Sequence, residues 1–418
     1  MHRVQAQKFV SYAPVLLERS QQERTRSESL EIGCDKLARM APPHRPRLLK
    51  KSDLPSFLKP LKPTLFSESS APPSSRYSQP LVQKIADISW SPTGSSIATC
   101  TSSNIRVWNS GRPNVKSSTE IRNAHPRDGN EWGRSGVSGD GVEKVAFSPR
   151  DEGVLASLGA DGMVRLWDLK TPNKAIPVGD CKVPKQGGVL VWHPEGHSIL
   201  VTVKSSNEIH QIDVRRFPTA TSDPLQPVRF TLEPASRTPD APYTVYTNLA
   251  FSNSGRELFA TTTNAGVQIL DYPSLTHLHN LSAFPGETHC VEHSPSGAHV
   301  AAGSADSTIS LWDTSTWLTP HTLSHTQQLM PIRSFGFSFD GAYMVAGSGD
   351  HLGTMGKTEG GGGSSGLHIY HVDSGDVVHT IETTNCPTHV AWHPSRYWIA
   401  YAGDPGGLRV VGIGSNVL

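Results

Sequence analysis

Between Cys290 and Asp313 the chain reads CVEHSPSGAHVAAGSADSTISLWD, with three short alternating apolar runs at Cys290–His293, Val300–Ala302 and Ile309–Trp312. A Ser-Pro-Ser-Gly turn separates the first two runs and a Ser-Ala-Asp-Ser turn the last two. Alternation with a period of two, punctuated by such turns, predicts an antiparallel meander. A single small sheet of this kind has apolar side chains on both faces and cannot bury them alone, so the unit needs copies of itself to pack against.

The copies are present. An aromatic residue or His followed by a turn containing Ser or His recurs at Trp90, Phe147, Trp192, Phe251, His293, Phe337 and Trp392, at intervals of 57, 45, 59, 42, 44 and 55 residues. Each anchor leads into a second apolar run and then a third, from Ile105–Trp108 in the first unit to Leu408–Val411 in the last. Trp-Asp closes the third run at Trp167–Asp168 and at Trp312–Asp313, the dipeptide associated with WD-repeat propellers. Seven units predict an all-β fold: a seven-bladed WD-repeat β-propeller spanning residues 71–418.

Blade 1 begins at Ile85, and the third run of the last blade ends near Val411, leaving too few residues for a fourth strand. An open ring would expose two long strand edges. Residues 71–83 are therefore expected to supply the outer strand of blade 7, and their deletion to cost more stability than deletion of residues 1–60. Outer strands of the other blades are expected at 118–123, 175–178, 228–231, 278–281, 320–323 and 377–381. Three insertions exceed a tight connection: 126–141, 215–242 and 351–366, the last with a flexible Gly-Gly-Gly-Gly-Ser-Ser-Gly string.

Composition adds a division of charge. Residues 1–80 hold 14 Lys/Arg against 7 Asp/Glu, whereas the remainder holds 24 against 30. Residues 1–70 read as a disordered, basic, Pro/Ser-rich tail, extended over 41–63 because proline removes donors; Met40 is an internal candidate start. Such a tail is either simply solvated or suited to RNA or an acidic protein surface. Five widely spaced cysteines without a CxxC pair argue for a reducing compartment and against a disulfide framework or zinc site. No apolar run reaches the ~20 residues of a membrane helix, and no membrane partner is expected.

Candidate chemistry is sparse. His125, Ser157, Asp161 and Trp167 have the spacing of the hydrogen-bonded network that WD blades share, which satisfies polar groups buried between loop and strand. The same residue types compose a hydrolase triad, but no Gly-x-Ser-x-Gly elbow leads into a helix. Blade 5 keeps Asp306 and Trp312 at that spacing, with Ala302 in place of the Ser and Phe284 in place of the His, so a looser corner is expected there. His193 and His393, in Trp-His-Pro turns, are conceivable metal ligands, yet their equivalent positions point to repetition. No phosphate cradle, dinucleotide fingerprint or paired catalytic carboxylates occur. The chain is expected not to be an enzyme, with no catalytic residue, cofactor, metal or small-molecule substrate. Function then falls to loops on a rigid disc: Trp132 between Arg127 and Arg134 in the first insertion, and Arg215, Arg216 and Arg237 in the second, are the candidate partner-binding residues.

The second half carries a more particular pattern. NLAFSNSGRELFATTTNAGVQILDYPSL, SGAHVAAGSADSTISLWD, PIRSFGFSFDGAYMVAGSGDH and PTHVAWHPSRYWIAYAGD follow in order. The Asp271-Tyr272-Pro273 strand ending, the Gly303-Ser304-Ala305-Asp306 turn and the Thr388–Pro394 strand are its most telling pieces. Over roughly residues 84–414 the chain resembles the WD-repeat subunit of the THO complex (THO complex subunit 3); the tail and the insertions at 126–141 and 351–366 depart from it. The resemblance implies a nuclear, non-enzymatic subunit of the transcription–export assembly (TREX). It would dock onto large helical THO subunits and act indirectly with a DEAD-box RNA helicase and an export adaptor in mRNA processing and export. RNA contact would be mostly indirect; nothing implied by the resemblance is carried onto the basic tail, whose charge alone makes it the candidate for direct contact. A WD-repeat adaptor of another complex, a ubiquitin-ligase substrate receptor or a histone-binding propeller, is the competing expectation.

Overall fold

The computed structural model describes residues 48–66, 84–101, 104–125, 141–171, 176–183, 187–204, 208–215, 228–229, 232–234, 245–263, 266–282, 286–324, 331–348, 366–383, 387–403 and 407–413. These form seven antiparallel meanders arranged as the blades of a propeller. Blade 5 runs Thr288–His293, His299–Ser304, Ile309–Asp313 and His321–Leu323 from the inside outwards, and the other blades repeat this order. The second strands are the most apolar, and Ser198–Val203 and Glu257–Thr262 are buried throughout. They lie mid-sheet with a blade on either side, so both of their faces are covered. Each core cluster is shared between neighbours: Leu158, Val164 and Leu166 of blade 2 pack with Trp192, Ile199 and Val201 of blade 3.

The innermost strands have no strand beyond them, and side chains of the adjacent blade take up part of that edge. Asp87 and Ser89 of blade 1 accept the Val145 and Phe147 N–H groups of blade 2 at 3.2 and 3.1 Å. Ser334 of blade 6 accepts the Val390 N–H of blade 7 at 3.0 Å. The Trp192 indole donates back to the Ala146 carbonyl at 3.0 Å. These bonds tie blade to blade where an unpaired donor or acceptor would otherwise be costly.

Ring closure differs from the sequence expectation. The outer strand of blade 7 is Thr64–Phe66, with Thr64 opposite Val410 and Phe66 opposite Leu408, and not a segment of 71–83. Phe66 is fully buried and meets Trp108 of blade 1 edge-on, with ring centroids 5.6 Å apart. Residues 71–83 contain three prolines, which lack the ladder donor, whereas Thr-Leu-Phe alternates as a strand should. The tail assignment of 1–70 is corrected accordingly, because 48–66 belongs to the propeller. Leu54–Leu58 forms a short helix in the stretch read as extended. Pro55 sits in its first turn, where no N–H is needed, and Leu54 and Leu58, one helical turn apart, are buried among Tyr343, Ile381 and Tyr397.

Two further outer strands shift. That of blade 2 is Gly179–Lys182 instead of 175–178, and that of blade 3 is Leu232–Pro234 instead of 228–231. Val228–Arg229 instead pairs in parallel with Gly179–Asp180 on blade 2. Among the described residues no helix is long and apolar enough to cross a membrane.

Candidate functional site

The most connected polar cluster is the corner of blade 2. Trp167 Nε1 donates to Ser157 Oγ at 2.9 Å, Ser157 lies 2.8 Å from His125 Nε2, and His125 Nδ1 lies 2.9 Å from Asp161 Oδ1. With Trp167 donating, the chain runs from indole to hydroxyl to imidazole to carboxylate, which places the His125 proton on Nδ1. Arg165 contacts both His125 and Asp161, and the Met163 N–H reaches Asp161 at 3.0 Å. Burial pulls the Asp161 carboxyl upward, but the bonds from His125, Met163 and Arg165 outweigh it and hold it below the usual carboxylate range. Desolvation lowers His125, so its imidazole is neutral. Ser157 has no exposed surface and its oxygen is engaged on both sides. A nucleophile needs an approach for substrate and this hydroxyl has none; what the arrangement does chemically is fill the corner with satisfied polar groups.

Blade 5 shows the same corner without that chain. Ala302 stands at the Ser position and is fully buried. Asp306 turns to its own loop, accepting from the Thr308 N–H at 3.0 Å. Phe284 lies outside the described residues.

His193 and His393 do one job in two places. His393 Nε2 donates to the Gly94 carbonyl of blade 1 at 3.1 Å, while its Nδ1 accepts the Ser395 N–H at 3.1 Å. His193 Nε2 reaches the Gly255 carbonyl of blade 4 at 3.1 Å, and its Nδ1 accepts the Glu195 N–H at 3.1 Å. Both glycines have φ near +72°, and a Cβ on Gly94 would fall 2.1 Å from the His393 ring. Each imidazole is therefore a strut from one blade into the next turn, and His393 spans the seam between blades 7 and 1. His193, Glu195 and His197 converge closely enough to be tested as metal ligands. Both His193 nitrogens are already committed to backbone groups, so a metal would have to displace one of those bonds.

Of the candidate partner-binding residues, Arg127, Trp132, Arg134, Arg216 and Arg237 lie outside the described residues. Arg215 is exposed and ion-paired with Asp213, Nε to Oδ1 at 2.9 Å. Two features were not singled out in the sequence. One is the clasp at 48–66: the Leu49 N–H donates to the Tyr397 hydroxyl at 3.0 Å, and the Tyr343 hydroxyl donates to the Leu49 carbonyl at 2.9 Å. Tyr397 in turn donates to Asp340 at 2.6 Å, and Lys51 pairs with Asp376. The signal was the Leu54–Leu58 spacing, one helical turn apart. The other is the mouth of the central channel, a cavity of about 950 Å³ lined by the starts of all seven inner strands. Its walls carry both signs of charge: Lys204 pairs with Glu143 at 2.7 Å, and Lys144 lies 3.6 Å from Asp87.

Comparison with known proteins agrees with this architecture. The WD domain, G-beta repeat model matches residues 78–109, 135–168 and 276–313. THO complex subunit 3 of Arabidopsis thaliana is 28% identical over 265 residues, covering 63% of this chain and 72% of that protein. WD repeat-containing protein AAC3 of Dictyostelium discoideum is 27% identical over 347 residues, 77% of this chain and 62% of that one. Human serine-threonine kinase receptor-associated protein is 27% identical over 176 residues, 42% of this chain and 43% of that one. Among solved structures, the β-propeller domain of Myceliophteria thermophila Cps50 (Swd1) superimposes with a TM-score of 0.60 at 16% identity, over 79% of this chain and 96% of that one. The chain is a seven-bladed WD-repeat propeller, and the resemblance to the THO subunit read from its second half is found by direct comparison.

Proposed function

We propose that this chain is a non-enzymatic scaffold subunit of a nuclear THO-type transcription–export complex, where it docks large helical THO subunits during messenger RNP assembly and export. The observation that carries the reading is the similarity to THO complex subunit 3 over most of both chains. The physics of the ring is consistent with it: polar side chains that resemble catalytic sets are consumed in filling the corner of blade 2 and in bracing blade 7 against blade 1. A stiff disc with unlike loops between its blades presents surfaces without reorganisation, which is what a docking subunit needs. Contact with a DEAD-box RNA helicase, an export adaptor and RNA is indirect in this reading.

Coexpression with the large helical THO subunits tests it. A complex that stays together through size exclusion at high salt supports the proposal; a propeller that elutes alone contradicts it. The comparable identity to human serine-threonine kinase receptor-associated protein favours a second reading, an adaptor of a different assembly. That reading expects no association with THO subunits and recovery of another scaffold, such as that of a ubiquitin ligase or a histone-modifying complex.

A further inference from the structure

The turn between the third and outer strands is the same in blades 4, 5 and 6, but its residues are not. In blade 6 the Gly375 N–H donates to the His371 carbonyl and the His371 N–H to the Asp376 carbonyl, both at 2.9 Å, with Gly375 at φ +70°. Blade 4 closes its turn with the same pair of bonds, Leu275 to Asp271 at 2.7 Å and Asp271 to Thr276 at 2.9 Å. Blade 5 does so with Trp317 to Asp313 at 2.7 Å and Asp313 to Leu318 at 2.9 Å. Leu275 and Trp317 thus stand where blade 6 has glycine, at φ +53° and +56°. A residue with a Cβ loses about 1–2 kcal/mol in that left-handed conformation. Trp317 carries a second cost, because its indole N–H is buried and meets no acceptor among the described residues. What the turn gains is an apolar strip. Trp317 and Leu278, both partly buried, pack against the cluster shared by blades 4 and 5, the Trp317 ring 6.3 Å from that of Phe259. Leu318 follows at 69% exposure, the most exposed large apolar side chain among the described residues.

Charge around this strip is one-sided. From Glu257 to Ile332, most of blade 4 and all of blade 5, the sequence has six Asp/Glu and no Lys or Arg. Asp271 and Asp313 open the two turns. The blade 6 turn adds the exposed Asp373, whose carbonyl holds His321 Nε2 of the blade 5 outer strand at 2.8 Å. We infer that the outer rim of blades 4 and 5, centred on Trp317 and Leu318, docks a segment of a protein partner that presents leucine-type side chains flanked by Lys or Arg. The exposed strip supplies the apolar contact, and the half-exposed indole is the kind of rigid anchor on which such contacts depend. The carboxylates beside it select a basic flank, and the same field repels both nucleic acid and a second copy of this face. Backbone strain retained in a turn fits this use, since it persists where a side chain must be held in a set place. The assignment of this face holds whichever complex the propeller joins.

The test uses the full chain and two fluorescein-labelled helical peptides, with leucine along one face and either Lys or Glu over the rest, and reads fluorescence anisotropy. The expected result is saturable binding of the Leu/Lys peptide and at least tenfold weaker binding of the Leu/Glu peptide. Leu318→Lys and Trp317→Gly are each expected to weaken the Leu/Lys peptide at least tenfold. Leu48→Lys, which changes a comparably exposed leucine on the clasp (65%), is expected to leave it unchanged. The melting temperature of Leu318→Lys is expected to match the parent, because that side chain is already in solvent, so a lost signal is not a lost fold. Equal affinity for both peptides, no saturable binding, insensitivity to Leu318→Lys, or an equal loss in Leu48→Lys each overturns the inference. A dimer in sedimentation that Leu318→Lys abolishes would assign the rim to a second copy, and binding of a single-stranded RNA that Trp317→Gly abolishes would assign it to nucleic acid; either also overturns it.

Discussion

Individual side chains in this ring are most informative where the repeat varies. Blade 2 has the full chain from Trp167 to Asp161, whereas blade 5 has Ala302 beneath Trp312. Ser157→Ala leaves two buried groups, the Trp167 N–H and His125 Nε2, without their partner, a loss of about 1–3 kcal/mol. Trp312→Ala removes a fully packed indole and is expected to cost about 3–5 kcal/mol. Urea denaturation of the two variants against the parent chain checks both values; an unchanged midpoint for either places its side chain outside the core.

Titration gives a second residue-scale prediction. Desolvation pushes Glu292 up to about 8, with only the Phe337 N–H opposing. Its folded pKa exceeds its unfolded one, so its cost is absent at acid pH and grows as pH rises from about 4.5 to about 8. Glu292→Gln is expected to stabilise the fold by about 2–3 kcal/mol at pH 8.5, discounted for the residual exposure of the side chain, and by little at pH 5. His293 and His393 work in the opposite sense. Burial lowers both to about 4, so the unfolded chain takes up protons first and stability falls as pH drops from about 6.5 towards 4. Melting curves of the parent and Glu292→Gln across pH 4–9 separate the two trends. A pH-independent gap between the variants would show that Glu292 does not titrate in the folded chain.

At the scale of elements, the seam between blades 7 and 1 has two separate fasteners: the Thr64–Phe66 strand, whose Phe66 packs against Trp108, and the His393 strut to Gly94. The Leu54–Leu58 helix holds the strand in place from the side of blade 6. Leu58→Ala is expected to cost about 2–5 kcal/mol and to speed amide exchange in Leu408–Val411 more than in blade 3, because the strand beside them loses its anchor. Equal exchange in both blades would show that the clasp is ornamental to closure. Much of this level was legible in the sequence. The inner three strands of each blade announce themselves by alternation, since both neighbours of each sheet demand apolar faces. The outer strands at 175–178 and 228–231 and the closing strand at 71–83 were misplaced for one shared reason: a strand with one exposed edge is under weak compositional constraint. The helix at Leu54–Leu58 was obscured by Pro55, whose permissive place in the first turn is set by packing that no local pattern reveals.

As a whole molecule the chain is a wheel whose polar interior has been spent on rigidity. Inner-strand side chains bond the next blade, histidines brace the turns, and the described cysteines at 100, 181 and 290 are buried. That leaves the rim, the loops and the channel mouth for recognition, in keeping with a docking role. The most direct measurement is affinity purification of the tagged chain from nuclear extract, with and without RNase, followed by mass spectrometry. The account predicts recovery of the large helical THO subunits in near-stoichiometric amounts under both conditions. Their absence, together with recovery of a ubiquitin-ligase or histone-modifying scaffold, would contradict it.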